Sequence, residues 1–392
     1  MAVVIVGGGI AGLSLALGLH RVGVPCRVLE AHPLEELGGG AFLALAPNGV
    51  NALASLGTPA VLADAGGLPL AGIEFHNAAG RRVARLDGRA EPARFGAHSH
   101  LVRRGRLQQQ LLAAVQAAGV PVEGDAPVVG VDEQHDRVRL TLADGTSRSA
   151  GLVVGADGVR SRVRGLRWPD APQPRYTGVL DTGGWTGIDL PDTAGQQMWF
   201  GHRAFFGLVV RDHTAFWFSN VAARQEPSRE QLAAVDPAEW MQTLRAAHRD
   251  DPLPIPAVLD AATGTVGTWP LLDLPPVEHW CSARVCLVGD AAHATSPTTG
   301  QGASLAIEDA VALAGELHAT GHEHPAPALQ RFVAARKPRA DGIVAEGRRM
   351  GARKAVTGLR AAVRDLALPL FLRMGAASAQ RHHAYRLPPL PR

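Results

Sequence analysis

The chain has 392 residues, 46% of them hydrophobic and 19% charged, with 45 Gly, 28 Pro and a net charge of +3. That is the composition of a folded protein of two or three domains, and it excludes a disordered or collagen-like chain. Three cysteines, Cys26, Cys281 and Cys286, form no C-x-x-C pair. They exclude a disulfide scaffold, point away from a zinc site and suit a reducing cytoplasm, so no metal is expected.

Ala2 to Val6 is a continuous apolar run and reads as a strand buried on both faces. Gly7-Gly8-Gly9-Ile10-Ala11-Gly12 follows at once and fits G-x-G-x-x-G. Leu13 to Arg21 reads as a helix, and Val24 to Leu29 as a second strand ending in Glu30. Each residue type has a reason in a dinucleotide cradle. Gly7 permits the tight turn, Gly9 lets a pyrophosphate approach the backbone, and Gly12 lets the helix pack on the sheet. The helix N-terminus offers free N–H groups to phosphate, and Glu30 can bind ribose hydroxyls. An acid there favours FAD or NAD over NADP, and this motif does not separate the first two. The uncharged opening lacks the basic start and cleavage site of a secretory signal. No other uncharged apolar run is long enough to span a bilayer, so stable membrane insertion is not expected.

Further along, Gly40–Gly57 (GAFLALAPNGVNALASLG) and His100–Leu112 (HLVRRGRLQQQLL) stand out beside the first motif. Leu152-Val153-Val154-Gly155-Ala156-Asp157-Gly158 reads as a buried strand ending in a Gly-flanked Asp, followed by the basic stretch Arg160 to Arg164. Between residues 171 and 275 the segments Gln197–Phe200, Ala204–Val210 and Ala215–Val221 alternate as strands do, and aromatic residues gather there. Val285 to Val288 is another buried strand, ending in Gly289-Asp290. A loop containing Pro297 then leads to Gly300-Gln301-Gly302 at a helix start. From Arg331 to Arg392 there are 14 basic and 3 acidic residues, so the first 330 residues carry a net of −8. The apolar residues in this tail, including Phe332, Ile343, Val344, Leu366 and Phe371, predict a structural helical cover rather than a nucleic-acid arm.

These three motifs, in this order and spacing, resemble the single-component FAD-dependent monooxygenases of the para-hydroxybenzoate hydroxylase type, over roughly residues 2–350. The resemblance implies an α/β fold: a Rossmann-like FAD-binding domain, an inserted, mostly antiparallel substrate sheet and a C-terminal helical segment. It places 1–70, 98–168 and 280–330 in the FAD-binding domain, and 71–97 and 171–275 in the substrate domain. FAD, held non-covalently, is the implied cofactor, with NAD(P)H as a transient co-substrate and O2 as oxidant. Gly7, Gly9, Ile10, Ala11, Gly12 and Glu30 would hold the ADP half, and Arg104 and Asp290 the linker. Gly300, Gln301 and Gly302 would face the flavin edge, Pro297 would lie over the oxygen-reactive face, and Asp157 belongs to a segment linked to FAD and NAD(P)H. The implied activity is hydroxylation or epoxidation of an aromatic or other electron-rich small molecule through a flavin C4a-hydroperoxide.

No protein acid or base is identified by this reading. His293 is expected to be a packed structural imidazole. Asp181, His202, Arg203 and His213 are candidates only by their position in the substrate sheet. After Arg175-Tyr176-Thr177-Gly178, where many relatives carry a Trp-Arg pair, this chain reads Val179-Leu180-Asp181-Thr182-Gly183-Gly184-Trp185. A ring-anchoring Arg is missing there, which argues against a urate-like or carboxylate-bearing substrate. The absence of Lys from residues 1–330 argues against a halogenase. A flavin reductase that inserts no oxygen and a non-enzymatic FAD-binding protein remain as alternatives.

Overall fold

The computed structural model describes residues 2–262, 266–351 and 378–391. The first strand, Val3–Val6, is buried at every position because parallel neighbours flank it on both sides. It lies at the centre of a five-stranded parallel sheet in the order Val285–Leu287, Leu152–Gly155, Val3–Val6, Cys26–Leu29 and Val122–Glu123. The strands that end in the three motifs are therefore immediate neighbours, with Val6 opposite Gly155 and Gly155 opposite Leu287. All three motif loops leave the carboxyl edge of the sheet side by side, where open α/β sheets bind ligands.

The helix Ile10–Arg21 covers this sheet, and Gly302–Thr320 packs on it through small residues, Gly18 against Ala310 and Ala314. The long helix Ala326–Gly351 lies on the second of these and buries Leu329, Phe332, Ile343 and Val344. This part of the basic tail is a packed cover, whereas Leu366 to Leu372 fall outside the described residues. A meander of Val128–Glu133, Val138–Leu142 and Ser147–Ala150 adds to the same core, its middle strand strictly alternating, with Val138, Leu140 and Leu142 inward.

A separate seven-stranded sheet runs in the order Gly267–Asp273, Arg175–Gly187, Thr214–Ala222, Phe205–Arg211, Gln196–Phe200, Gly72–His76 and Arg82–Asp87. It is antiparallel except where Gln196–Phe200 meets Gly72–His76. The two-residue period assigns its aromatics to opposite faces. Trp199, Phe206, Leu208 and Trp217 pack under the helices Pro237–His248 and Ile255–Ala261. Phe200, Phe205, Phe216 and Phe218 alternate with them and share the other face. That face meets a small sheet of Phe42–Leu45, Leu68–Pro69 and His100–Arg103, through Phe42, Leu70 and Leu101 against Val209 and Phe216.

Candidate cofactor and substrate site

At the first motif the chain has room for an anion and nothing to spare elsewhere. Gly7 has φ +113°, which a side chain rarely adopts, and a Cβ there would lie 2.5 Å from the Ala156 carbonyl oxygen. A Cβ on Gly12 would collide with the Gly7 carbonyl. A Cβ on Gly9, by contrast, would meet nothing within 4 Å beyond its chain neighbours. This open cradle sits at the N-terminus of Ile10–Arg21, whose first N–H groups lack intrahelical partners. Ile10 and Ala11 form the helix's buried first turn. Glu30 ends the second strand and accepts hydrogen bonds from Gly8 N–H at 2.6 Å and His32 N–H at 3.0 Å. Gln108, unmarked in the sequence reading, donates to the Gly8 carbonyl at 2.9 Å. It stands one helical turn beyond Arg104, a spacing that could have marked it.

Arg104 opens the helix Arg104–Ala117, is exposed, and donates to the Gly39 carbonyl at 3.3 Å. Its charge reaches Asp290 across the cleft. Asp290 is exposed on one side yet crowded by protein on the others. That enclosure raises its carboxyl above the usual range, while His293 and Arg104 pull it back down. Arg104 and Asp290 attract each other with no hydrogen bond between them among the described residues, and both stay accessible to a polar ligand. These features fit the ADP, pyrophosphate and ribityl portions of FAD.

Asp157 does different work. Its carboxylate accepts from the Ser161 hydroxyl at 2.5 Å and from the N–H groups of Arg162 and Val163 at 2.7 and 3.0 Å. It thereby starts the helix Arg162–Arg167. Burial raises its carboxyl, against the pull of those bonds. Buried Arg164 then fastens this motif to the third by donating to the Ala291 carbonyl at 2.8 Å.

At the third motif, Gly300 has φ +60° and open space around its missing Cβ. Its N–H donates to Pro297 at 3.0 Å, and that of Gln301 to Thr299 Oγ1 at 3.3 Å. The helix begins at Gly302, so the amides without intrahelical partners start there. Pro297 is exposed in the turn ahead of it. The Gln301 side chain is buried and accepts from Asn48 Nδ2 at 2.9 Å, while the same Asn48 amide donates to Glu308 at 2.7 Å.

Beneath this turn lies a buried charge network that the sequence reading missed. Asp309 accepts from His293 Nε2 at 2.6 Å, from Gly289 N–H at 3.0 Å and from Arg336 Nε at 2.8 Å. Arg336 also pairs with Glu308 at 2.7 Å, and Arg339 donates to both Glu308 oxygens at 2.9 Å. His293 is thus a packed, hydrogen-bonded imidazole. Burial opposes its charged form, but Asp309 more than compensates and its pKa is raised. Asp309 is held down at about 2, burial being outweighed by His293 and Arg336. The spacing of Arg336 and Arg339, three residues apart, puts both on one helix face and was the available signal.

The substrate-sheet candidates separate. His202 N–H donates to Asp251 at 2.8 Å, Arg203 pairs with Asp250 at 3.2 Å, and His213 pairs with Asp189 at 3.2 Å with both side chains largely exposed. Asp181 is on the aromatic face, accepting from Asn220 Nδ2 at 2.6 Å. Ser219, His248 and Asp251 form a hydrogen-bonded line with 2.7 Å steps, but it is sealed beneath the helices on the opposite face.

Residues 1–346 match the FAD binding domain family. The chain is 34% identical to 3-amino-4-hydroxybenzoate 2-monooxygenase PtnB3 of Streptomyces platensis, covering 94% of this chain and 92% of that protein. It is 32% identical to the aurachin C monooxygenase/isomerase of Stigmatella aurantiaca, over 90% of this chain and 89% of that one. Among solved structures, Klebsiella pneumoniae HpxO complexed with FAD and uric acid superposes with a TM-score of 0.82 at 25% identity, covering 98% of this chain and 93% of that one. With its cradle, its adjacent motif loops and these likenesses together, the chain belongs to the family of FAD-dependent monooxygenases that hydroxylate aromatic compounds.

Proposed function

We propose that the protein uses NAD(P)H and O2 to hydroxylate, or epoxidise, an electron-rich aromatic or heteroaromatic small molecule lodged between the FAD cradle and the aromatic face of the seven-stranded sheet. The observation that carries this reading is the seam itself. Phe42, in the sheet whose last residue precedes Arg104, meets Phe216 and Phe218 edge-on at 6.4 and 6.0 Å. The apolar, ring-lined seam thus reaches the strand that leads into Arg104.

When bound, FAD supplies hydride acceptance and the transfer of one oxygen atom from O2. The protein's residues bind, orient and exclude water. The cradle at Gly7, Gly9, Ile10, Ala11 and Gly12, with Glu30, holds the ADP half, and Arg104 and Asp290 hold the linker. The amides starting at Gly302, after Gly300 and Gln301, would present partial positive charge to a bound flavin edge. Asn48, itself held by Glu308, keeps that turn in place by donating to the Gln301 side chain. Pro297 would border the oxygen-reactive face of a bound flavin, and the aromatic face would keep it dry. Asp157 shapes the neighbouring turn. The reaction runs in the cytoplasm, in keeping with three free thiols, and a role in tailoring a bacterial natural product suits relatives such as the aurachin C enzyme.

The test is a screen of aromatic compounds for stimulated NAD(P)H oxidation by the FAD-loaded protein under 18O2, with mass spectra of the products. A product carrying one labelled oxygen is expected. Stimulated oxidation that continues without oxygen and leaves no label in the product would overturn the reading in favour of a reductase.

A further inference from the structure

Arg103 and Arg104 are consecutive and serve different sides of the molecule. Arg104 donates to the Gly39 carbonyl, whereas Arg103 turns to the seven-stranded sheet. The Arg103 guanidinium carbon lies 3.8 Å from the centre of the Trp185 ring and 5.6 Å from that of Phe216. Those two aromatics are direct cross-strand partners, and Phe42, the partner of Arg103 in its own sheet, meets the same Phe216. The cation therefore stands in the seam assigned above to the substrate, with Trp185, 47% exposed, at its mouth.

Its lack of an acceptor sets it apart from the other described arginines that are not exposed. Arg164, Arg167, Arg336, Arg339 and Arg348 each reach a carboxylate or carbonyl. Among the described residues, no carboxylate or carbonyl accepts from Arg103. Partial burial and the like charge of Arg106 both weigh against its protonated form. Stacking on Trp185 uses the face of the guanidinium and leaves its N–H edge unspent. That edge has the fork geometry that pairs with a carboxylate.

We infer that Arg103, stacked on Trp185, is the anchor for a carboxylate on the aromatic substrate. This rests on the monooxygenase reading and deepens it. The strand from Val179 to Trp185 carries no arginine, so on sequence grounds a carboxylate-bearing substrate was disfavoured. The fold supplies the missing cation from the other wall of the seam. A pyrophosphate of the nicotinamide cofactor has related anionic chemistry, and the experiment separates the two.

The FAD-loaded enzyme is titrated with benzoate and with benzamide, its neutral isostere, following the flavin absorbance, and KM for NAD(P)H is measured in parallel. Wild type should bind benzoate at least tenfold more tightly than benzamide. In Arg103→Gln that preference should collapse to within about twofold, and Arg103→Lys should restore part of it, with KM for NAD(P)H little changed in both. Retained flavin absorbance in the variants shows that they fold. Equal binding of the two probes by wild type, or an equal preference in wild type and Arg103→Gln, overturns the inference while leaving the monooxygenase reading intact. A preserved preference with a tenfold rise in KM for NAD(P)H also overturns it and assigns the cation to the pyrophosphate. A wild-type protein that cannot be loaded with FAD overturns the monooxygenase reading, and this inference with it.

Discussion

The two walls of the seam are built by different physics. On the parallel-sheet side, position is held by backbone amides and by charges paired in the interior: Glu30 on Gly8, Asp309 on Gly289, Arg336 between Asp309 and Glu308. On the seven-stranded side it is held by rings, Phe205, Phe216 and Phe218 among them, with the Phe218 ring packed onto Gly207. A hydrogen-bonded wall suits a cofactor of constant shape, because each bond has a required direction. A ring-lined wall excludes water and tolerates changes of ligand outline, because dispersion is not directional. Damage to the first should cost cofactor and fold together, whereas damage to the second should alter substrate choice alone.

The sharpest way to break that comparison is Arg336→Met. It leaves the buried Asp309 with His293 alone and Glu308 with Arg339 alone, and removing one member of a buried ion pair costs about 3–5 kcal/mol. A large fall in the urea midpoint, with loss of FAD, is expected; an unchanged midpoint would show that the network carries no load. Asp290→Ala comes next. Losing a charged hydrogen bond costs about 1.5–3 kcal/mol, or roughly ten- to a hundredfold in FAD affinity, read by titrating apoprotein with FAD.

The network should also give stability a pH signature. Asp309 titrates at about 2 rather than 3.8, so its contribution is present above 3.8 and lost as pH falls toward 2. That amounts to roughly 2 kcal/mol. His293 has a raised pKa, so its contribution is complete below 6.5 and is lost as pH rises through the elevated value. Thermal melts across pH should show both limbs, and His293→Gln should abolish the alkaline one. Gly207→Ala should cost less stability than Arg336→Met, about 1–3 kcal/mol as the Phe218 ring is pushed aside. Its new methyl meets the Phe218 ring. FAD affinity should stay within twofold while KM for the aromatic substrate shifts; lost FAD binding would erase the distinction between the walls.

The sequence was readable in proportion to how local each interaction is. The G-x-G-x-x-G turn depends on residues 7 to 12 and on a strand beside them, so spacing reveals it. Glu30 is legible because a parallel crossover returns the chain at a regular interval. The third motif's helix was expected near Gly300 and begins at Gly302, since Gly300 and Gln301 spend their amides on the preceding turn. Arg336, Arg339 and Asn48 could not be paired with Asp309, Glu308 and Gln301 on paper. They are 27, 31 and 253 residues from those partners, and a charge in a helical pattern looks the same whether buried or solvated.

What the sequence alone determined is the α/β class, the FAD cradle and the family, because these rest on backbone conformations that only particular short patterns permit. What the tertiary structure decided is which aromatics face the seam, where the carboxylates find their cations, and that Arg103 and Trp185 meet. Register sets the first, since a one-residue slip would exchange the two faces of the sheet. The others depend on segments far apart in the chain closing on one another, and no spacing rule encodes that.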